Sequence, residues 1–431
     1  MPLDATQTTY LAQARRLLSQ DDWESVAQGL NLLSALDDPQ LWAIVANGVG
    51  LGGRHLKHLE IGPGEIRTWV KPDNQNNAAL WVAREVGLLD DVRRLDLSRK
   101  HGLPGANHPG DLQPLAGLPR LEALHLACDA ADLRPLAETT SLHTIRITPP
   151  RIRVRRGRAA TETDLQPLAR LPVLESLDLH IETTDLQGLS TATSLVRLNV
   201  RSRRLNDIRA LGGLPNLRKL HLTAPALVNL EPLHHLRALA FLTLQLRALR
   251  DLRCLTELHH LAMLSMGFCE RVTDLSPLQR LPGLRSLRLR HVAPNLSLDG
   301  LMGHPALRQL IIARWRGADL TPVASLPTLE DLRLIHVDAS SVAPLAGLPR
   351  LERLTLKGCT RLTDLNGLGD LPQLTDLVIS DCPALTDLSG LHPSSPWAQP
   401  SLQVLRLDGT AVPPAQVLAL RRRLPQAIIQ A

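Results

Sequence analysis

The chain has 431 residues, of which 44% are hydrophobic and only 2% aromatic, so it can bury a sizeable core that is mostly aliphatic. Its formal net charge of +6 makes the surface basic without being extreme, and its five cysteines are scattered, which argues against a disulfide framework. No segment resembles a signal peptide and no apolar run is long enough to span a membrane, so we expect a soluble, cytoplasmic protein.

The first 50 residues show helical periodicity. Apolar residues follow the acidic pair Asp21-Asp22 at helical spacing, and Asp38-Pro39 begins another short helix. We predict that residues 1–50 form a helical N-terminal cap, because a repeat array needs its open end covered.

From residue 51 the chain is organised by a repeat. Residues 51–110 hold two degenerate copies. Residues 111–410 hold thirteen regular copies of D-L-x-P-L-x-x-L-P-x-L-x-x-L-x-L, which is clearest at Asp274–Leu289. Eleven of the twelve intervals between these copies are 21 to 23 residues long, and such a period indicates a solenoid in which each repeat buries its neighbour's apolar face.

Each repeat predicts its own local structure. The alternation in L-x-L indicates a short strand with one buried face. The initial Asp is placed to cap a helix, and the first Pro suits the opening turn of that helix. The second Pro ends the helical turn and directs the chain into the strand. We therefore expect a parallel sheet on one side and short helices or 3-10 turns on the other, curved with the sheet inside.

This pattern resembles the 22-residue class of the leucine-rich repeat family, which includes bacterial internalins and the leucine-rich regulatory subunits of protein phosphatase 1. The resemblance covers roughly residues 50 to 431. It implies an α/β solenoid, a curved horseshoe with a parallel concave β-sheet and short helices or 3-10 turns on the convex side, and it implies protein recognition. The buried Asn that follows each strand in the family is mostly missing here, and Cys269, Cys359 and Cys382 stand in its place in three copies.

Residues 411–431 predict an end to the array. Pro413-Pro414 begins a helix that carries Val417, Leu418 and Leu420, and a strand-like segment follows it. We expect this helix and strand to form a C-terminal cap.

Three long insertions follow predicted strands in the first third of the array, after Ile61, Leu97 and Ile147, and all three should emerge on one rim. They are basic, and neighbouring strand positions add further arginines. The candidate partner-binding residues of this basic N-terminal rim are Arg99, Lys100, Arg146, Arg151, Arg153, Arg155, Arg156, Arg158, Arg197 and Arg201. Their combined positive potential should attract an acidic partner or phosphates.

The outward positions of the strands form the concave face. Its middle, around Phe241, Met263 and Ile311, is predicted to be less charged than its flanks, as in many protein-binding patches. The candidate partner-binding residues on this face are Lys219, His221, Phe241, Met263 and Arg288.

No motif for catalysis, phosphate binding or metal binding occurs in the sequence. We therefore expect no enzyme, cofactor, metal site or small-molecule substrate. The hypothesis is a non-enzymatic protein–protein interaction scaffold, or a sensor or adaptor subunit of a bacterial assembly, that binds an acidic protein through the concave face and the basic N-terminal rim. The alternative is nucleic-acid or phosphate-ligand binding through the loop 151–158, against which the scarcity of aromatic residues counts.

Overall fold

The computed structural model describes residues 59–62, 65–68, 92–97, 112–127, 132–148, 163–392 and 401–430, with the single residues Gln13, Arg16, Gln28, Arg84, Leu89 and Asp90. Most of the predicted N-terminal cap and the arginine loop 151–158 lie outside these ranges, and the boundaries at residues 50, 110 and 410 stay predictions. The chain divides into two compact units, Met1–Arg204 with Ile208–Asn216 and Leu205–Asp207 with Leu217–Ala431. We call them the N-terminal unit and the C-terminal unit and describe each by itself.

Strands of the N-terminal unit follow one another as neighbours in chain order. They are β1 (Leu59–Gly62), β2 (Glu65–Thr68), β3 (Arg94–Leu97), β4 (Ala123–Ala127), β5 (Thr144–Thr148), β6 (Ser176–His180) and β7 (Arg197–Arg201). From β2 to β7 each strand is parallel to the next, whereas β1 and β2 are antiparallel. The prediction of a long loop directly after Ile61 was therefore wrong, because Glu65–Thr68 form β2. The sequence Gly-Pro-Gly before Glu65 favours a turn, and Ile66 and Thr68 favour extended backbone.

Strands of the C-terminal unit are all parallel, and each pairs with the next in chain order. They are β8 (Lys219–Thr223), β9 (Phe241–Gln245), β10 (Met263–Gly267), β11 (Ser286–Arg290), β12 (Gln309–Ala313), β13 (Asp331–Ile335), β14 (Arg353–Lys357), β15 (Asp376–Ser380), β16 (Val404–Asp408) and β17 (Ile428–Gln430). From β8 to β16 the first residue of each strand pairs with the first residue of the next, so equivalent side chains form rows. We call the side formed by the first, third and fifth residues the strand face.

Short helical segments connect the strands, as predicted. The 3-10 helices are Gln113–Leu115, Arg134–Glu138, Gln187–Leu189, Arg209–Gly213, Glu231–His235, Arg253–Leu255, Ser276–Arg280, Asp299–Leu301, Ala343–Gly347, Leu368–Asp370 and Ser389–Leu391, and the α-helices are α1 (Gln166–Ala169), α2 (Thr321–Ala324) and α3 (Pro414–Arg423). None of the helices in the described part of the chain has the length and apolar content needed to span a membrane.

The repeat core is built mainly from leucine. From β4 to β16 the second and fourth residues of the strands point inward and are buried, as Leu264 and Met266 are in β10. In α3, Val417 and Leu420 are buried but Leu418 is 52% exposed, because a surface helix buries only one stripe. The helix predicted after Pro413-Pro414 is therefore present, and two of its three named apolar residues are buried.

Three buried thiols stand where the leucine-rich repeat family carries its Asn. The Cys359 and Cys382 thiols lie 3.6 Å and 3.7 Å from the backbone oxygens of Leu334 and Leu356 in the preceding repeats. Burial raises the pKa of Cys269 to about 11, which keeps this thiol protonated at neutral pH. The Cys269 thiol therefore acts as a small apolar residue with a weak donor, whereas a hydrogen bond with Cys359 lowers the pKa of Cys382.

In most of the repeats that the structure describes, the initial Asp accepts a backbone N–H as predicted, but it does so from a position before the N-cap residue. In the repeat of β11, the N-cap position of the 3-10 helix is Leu275, one residue after Asp274. The Asp274 carboxylate nevertheless accepts the backbone N–H of Ser276 at 2.8 Å. The side-chain oxygens that accept the equivalent backbone N–H, two residues later, belong to Asp132, Asp164, Asp185, Asn229, Asp251, Asp319, Asp364 and Asp387.

Replacing Asp274 with Ala should lower the free energy of unfolding by about 1 kcal/mol, because one backbone N–H of the turn loses its acceptor. Asp274→Asn keeps an oxygen at that place and should lose much less. Urea denaturation of both variants measures the difference. Equal losses in the two variants would show that the negative charge, and not the hydrogen bond, matters.

Candidate partner-binding surfaces

The predicted partner-binding residues fall into two described groups, one in each unit. Arg146, Arg197 and Arg201 lie on β5 and β7 of the N-terminal unit. Lys219, His221, Phe241, Met263 and Arg288 lie on strands β8 to β11 of the C-terminal unit. The other seven, Arg99, Lys100, Arg151, Arg153, Arg155, Arg156 and Arg158, lie outside the described residues.

In the N-terminal unit one of the three arginines is paired with a carboxylate. Asp178 on β6 lies 2.9 Å from the Arg146 Nε, 2.7 Å from the Asn199 Nδ2 and 3.1 Å from the His180 Nε2. Burial lowers the pKa of His180, and Arg201 and Arg146 lower it further against the opposing pull of Asp178. Arg146 is therefore already paired, whereas Arg197 and Arg201 remain exposed on β7.

In the C-terminal unit the strand face begins with an aromatic contact. Phe241 on β9 is 38% exposed, as predicted for an outward residue, and the Lys219 Nζ lies 4.9 Å from the centre of its ring. Met263 lies beside Phe241 in the same row, half-buried. His221 contacts the Thr223 hydroxyl at 3.2 Å on its own strand. Phe241 and Met263 thus form an apolar pair next to a cation.

Farther along this face, strands β11 to β14 share a hydrogen-bond network around Asp331, which is only 3% exposed. The Arg333 guanidinium donates two bonds to the Asp331 carboxylate at 3.1 and 2.9 Å. Gln309 donates a third at 3.0 Å, and the Arg353 Nε lies 3.9 Å away. Burial alone would raise the pKa of Asp331, but these bonds and charges outweigh it and leave the pKa below its usual value. The carboxylate is therefore ionised and its charge is compensated within the network.

The strand face from β8 to β14 is consequently cationic. Asp331 is its one carboxylate. The strand face carries six cations, which are Lys219, Arg288, Arg290, Arg333, Arg353 and Lys357. The Arg288 Nε is buried and has no hydrogen-bond partner among the described residues.

The predicted less charged middle is limited to β9 and β10, whose outward residues carry no charge. Ile311, predicted to belong to that apolar middle, is only 5% exposed and lies between Arg288 and Arg333 in the row. Arg290, Arg333, Arg353 and Lys357 were missing from the predicted site. The two-residue period of the strands could have indicated them, because all four occupy outward positions.

A second feature lies at the carboxyl ends of the strands. The residues directly after β10, β11, β12 and β13 are Phe268, His291, Arg314 and His336, and their backbones have φ of 57°, 49°, 55° and 52°. This left-handed conformation is uncommon for bulky side chains. The equivalent residues after β14 and β16 are Gly358 and Gly409, at φ of 64°.

The side chains at these strand ends are stacked. The rings of Phe268 and His291 are nearly parallel, with their centres 4.6 Å apart. Arg247 comes two residues after β9, and its guanidinium lies 5.7 Å from the centre of the Phe268 ring. We call Arg247, Phe268, His291 and Arg314 the rim ridge. Sequence reasoning missed it, although glycine at the equivalent positions 358 and 409 was a signal of left-handed backbone there.

The described residues contain no obvious site for small-molecule chemistry. No group of three or more His, Cys, Asp or Glu side chains in the described ranges comes together as metal ligands. A polar cleft of about 570 Å³ in the N-terminal unit is lined by residues that include Asp164, Asp185, Gln166 and Gln187. Both carboxylates there already accept backbone N–H groups of the repeat turns, so their role is structural.

Solved structures share this fold. A leucine-rich repeat protein of Leptospira interrogans is 16% identical with a TM-score of 0.58, over 80% of this chain and 92% of that chain. An internalin of Listeria monocytogenes is 21% identical (TM-score 0.43; 65% of this chain, 76% of that chain), and a chain of the mouse RP105/MD-1 complex is 18% identical (TM-score 0.49; 78% and 54%). No protein-family model and no curated protein matches the sequence. The first likeness confirms the predicted leucine-rich repeat fold.

Proposed function

We propose that this chain, which has the fold of leucine-rich repeat proteins, is a protein-interaction scaffold whose C-terminal unit binds a partner with an acidic surface. Proteins of this fold are usually non-enzymatic binding scaffolds. The single observation that carries the proposal is the composition of the strand face from β8 to β14, where six cations and one exposed aromatic residue share a surface with a single, already compensated carboxylate.

The apolar pair supplies the anchor. A half-exposed aromatic ring beside Met263 can bury further area against a partner, and aromatic and arginine side chains dominate the energy of protein interfaces. Lys219 over the Phe241 ring holds the ring in place and adds a charge at its edge.

The arginines supply the specificity. Guanidinium groups bind carboxylates in a bidentate manner, so a partner's Asp and Glu side chains fit Arg290 and Arg353, whereas Arg333 is already bound to Asp331. The unsatisfied Arg288 Nε favours a bound acceptor, because a buried donor without a partner costs about 1–3 kcal/mol. Arg197 and Arg201 of the N-terminal unit and the rest of the basic N-terminal rim remain a predicted additional contact, and the cytoplasmic location remains part of this proposal.

A face variant, Phe241→Ser with Arg288→Ser, tests the proposal. Wild type and variant are immobilised and exposed to nuclease-treated cell lysate at about 0.3 M salt, where screening removes long-range attraction. We expect a protein captured by the wild type and lost from the variant. Its Kd, measured with both purified chains, should be about 30-fold weaker for the variant, since two central contacts are removed.

The matched control is Met302→Ser with Arg350→Ser, which removes one exposed apolar residue and one exposed arginine from the connections before strands. It should capture the same protein as the wild type. Equal capture by all three chains would overturn the proposed face. Capture from untreated lysate that is absent from nuclease-treated lysate would favour the alternative, nucleic-acid binding through the loop 151–158.

A further inference from the structure

Three residues of the rim ridge carry bulky side chains on left-handed backbone, which is strained for such residues. Left-handed backbone is strained for Phe268, His291 and Arg314, while Gly358 and Gly409 adopt the same conformation without a side chain to clash. Glycine is therefore compatible with this position of the repeat. The three bulky side chains are not needed to make the turn, and backbone strain of this kind concentrates at functional sites.

The stacking of the ridge determines what it can bind. Arg247 follows the strand before that of Phe268 and His291 follows the strand after it, so we infer that they cover opposite faces of the Phe268 ring. What remains for a ligand is the ring edge, which carries positive partial charge, together with the N–H groups of Arg247 and His291. Such a surface binds anions along its length. It offers no open ring face on which a nucleic-acid base could stack.

The surrounding connections have the same sign of charge. The segments that follow β9 to β12, residues 246–250, 268–273, 291–296 and 314–318, contain a single carboxylate, that of Glu270. Their arginines are Arg247, Arg250, Arg271, Arg314 and Arg316. These arginines lie in the segments after β9, β10 and β12, and neighbouring strands are spaced by about 4.8 Å, so the cations are distributed along the strand ends.

We propose that the rim ridge is a second docking surface, which binds an extended acidic polypeptide segment running across the carboxyl ends of β9 to β12. The inference rests on the proposed function in taking the ligand to be a protein. It adds that carboxylates spaced along one segment contact Arg247, His291 and Arg314 in turn through charge-assisted hydrogen bonds.

A ridge variant with Phe268→Gly, His291→Gly and Arg314→Gly tests this assignment. Glycine suits the left-handed backbone, so the variant should unfold at a temperature no lower than the wild type. Fluorescein-labelled octaglutamate is titrated into wild type, ridge variant, face variant and the Met302→Ser/Arg350→Ser control, with fluorescence anisotropy as the readout. We expect binding to the wild type and the control, and at least about tenfold weaker binding to the ridge variant.

Each other outcome is decisive. Equal octaglutamate affinity of ridge variant and wild type overturns the ridge, as does the absence of binding to any chain. Weakening by the face variant alone overturns the ridge while leaving the proposed function intact. Labelled octathymidylate is titrated in the same way. If it binds the wild type more tightly than octaglutamate does, and the ridge variant does not bind it, the ridge is a nucleic-acid site and the assignment to an acidic polypeptide is overturned.

Discussion

Replacing Gly300 with Ala should lower the free energy of unfolding of the C-terminal unit by about 3 kcal/mol, the upper range for overpacking a filled site. A Cβ atom on Gly300 would lie 2.3 Å from the backbone nitrogen of Ser276 and 2.4 Å from the carbonyl carbon of Leu275. Both atoms belong to the turn of the preceding repeat, so the clash can be relieved only by separating two repeats. Urea denaturation measures the loss.

Gly303→Ala provides a matched control three residues away. Gly303 has φ of 65°, but a Cβ atom there would have no neighbour within 4 Å. The control therefore adds left-handed strain alone, which costs about 1–2 kcal/mol. If Gly303→Ala lowers the free energy of unfolding as much as Gly300→Ala does, or more, the close approach of the two repeats is refuted.

This glycine also shows what the sequence could not predict. Pro277, one repeat earlier, occupies the same place in the template as Gly300, and the template alone treats the two as interchangeable. The repeat of Gly300 approaches its neighbour more closely at that point. The distance between successive turns depends on how whole repeats stack, and a one-dimensional pattern contains no information about it.

The strands were predictable because their period is unambiguous. The alternation around Phe241 and Met263 placed both residues outward, and the structure agrees. The charge balance was harder to predict, since Asp331 appears in the sequence as one more surface charge. Only the side-chain network shows that its carboxylate is buried and compensated. The rim ridge was missed because it depends on backbone torsions that bulky residues rarely adopt.

Replacing His304 with Ala should cost about 3 kcal/mol and also remove part of the acid sensitivity of the C-terminal unit. His304 is 0% exposed. Its Nε2 donates to the Leu278 carbonyl at 3.2 Å, and its Nδ1 accepts the backbone N–H of Ala306 at 3.3 Å. Only a neutral imidazole satisfies both bonds. The Ala variant leaves a cavity and two backbone groups without partners.

The pH dependence follows from the same burial. Burial lowers the pKa of His304 below its usual value of 6.5, and this effect outweighs the hydrogen bonds to the Leu278 and Leu281 carbonyls. Between the lowered pKa and 6.5 the unfolded chain binds more protons than the folded chain. The contribution of the neutral His304 to the free energy of unfolding is therefore fully present above pH 6.5, and it is lost as the pH falls through that window.

Urea denaturation at a series of pH values should consequently show a shallower loss of stability below pH 6.5 for His304→Ala than for the wild type. His336→Ala, which removes an exposed histidine from the same unit, is the matched control for the loss of one histidine. Parallel curves for His304→Ala and the wild type would mean that the buried imidazole is not the acid-sensitive group. The sensitivity would then come from other groups of the C-terminal unit, such as the Asp331 carboxylate, whose lowered pKa also makes the folded form lose stability as the pH falls.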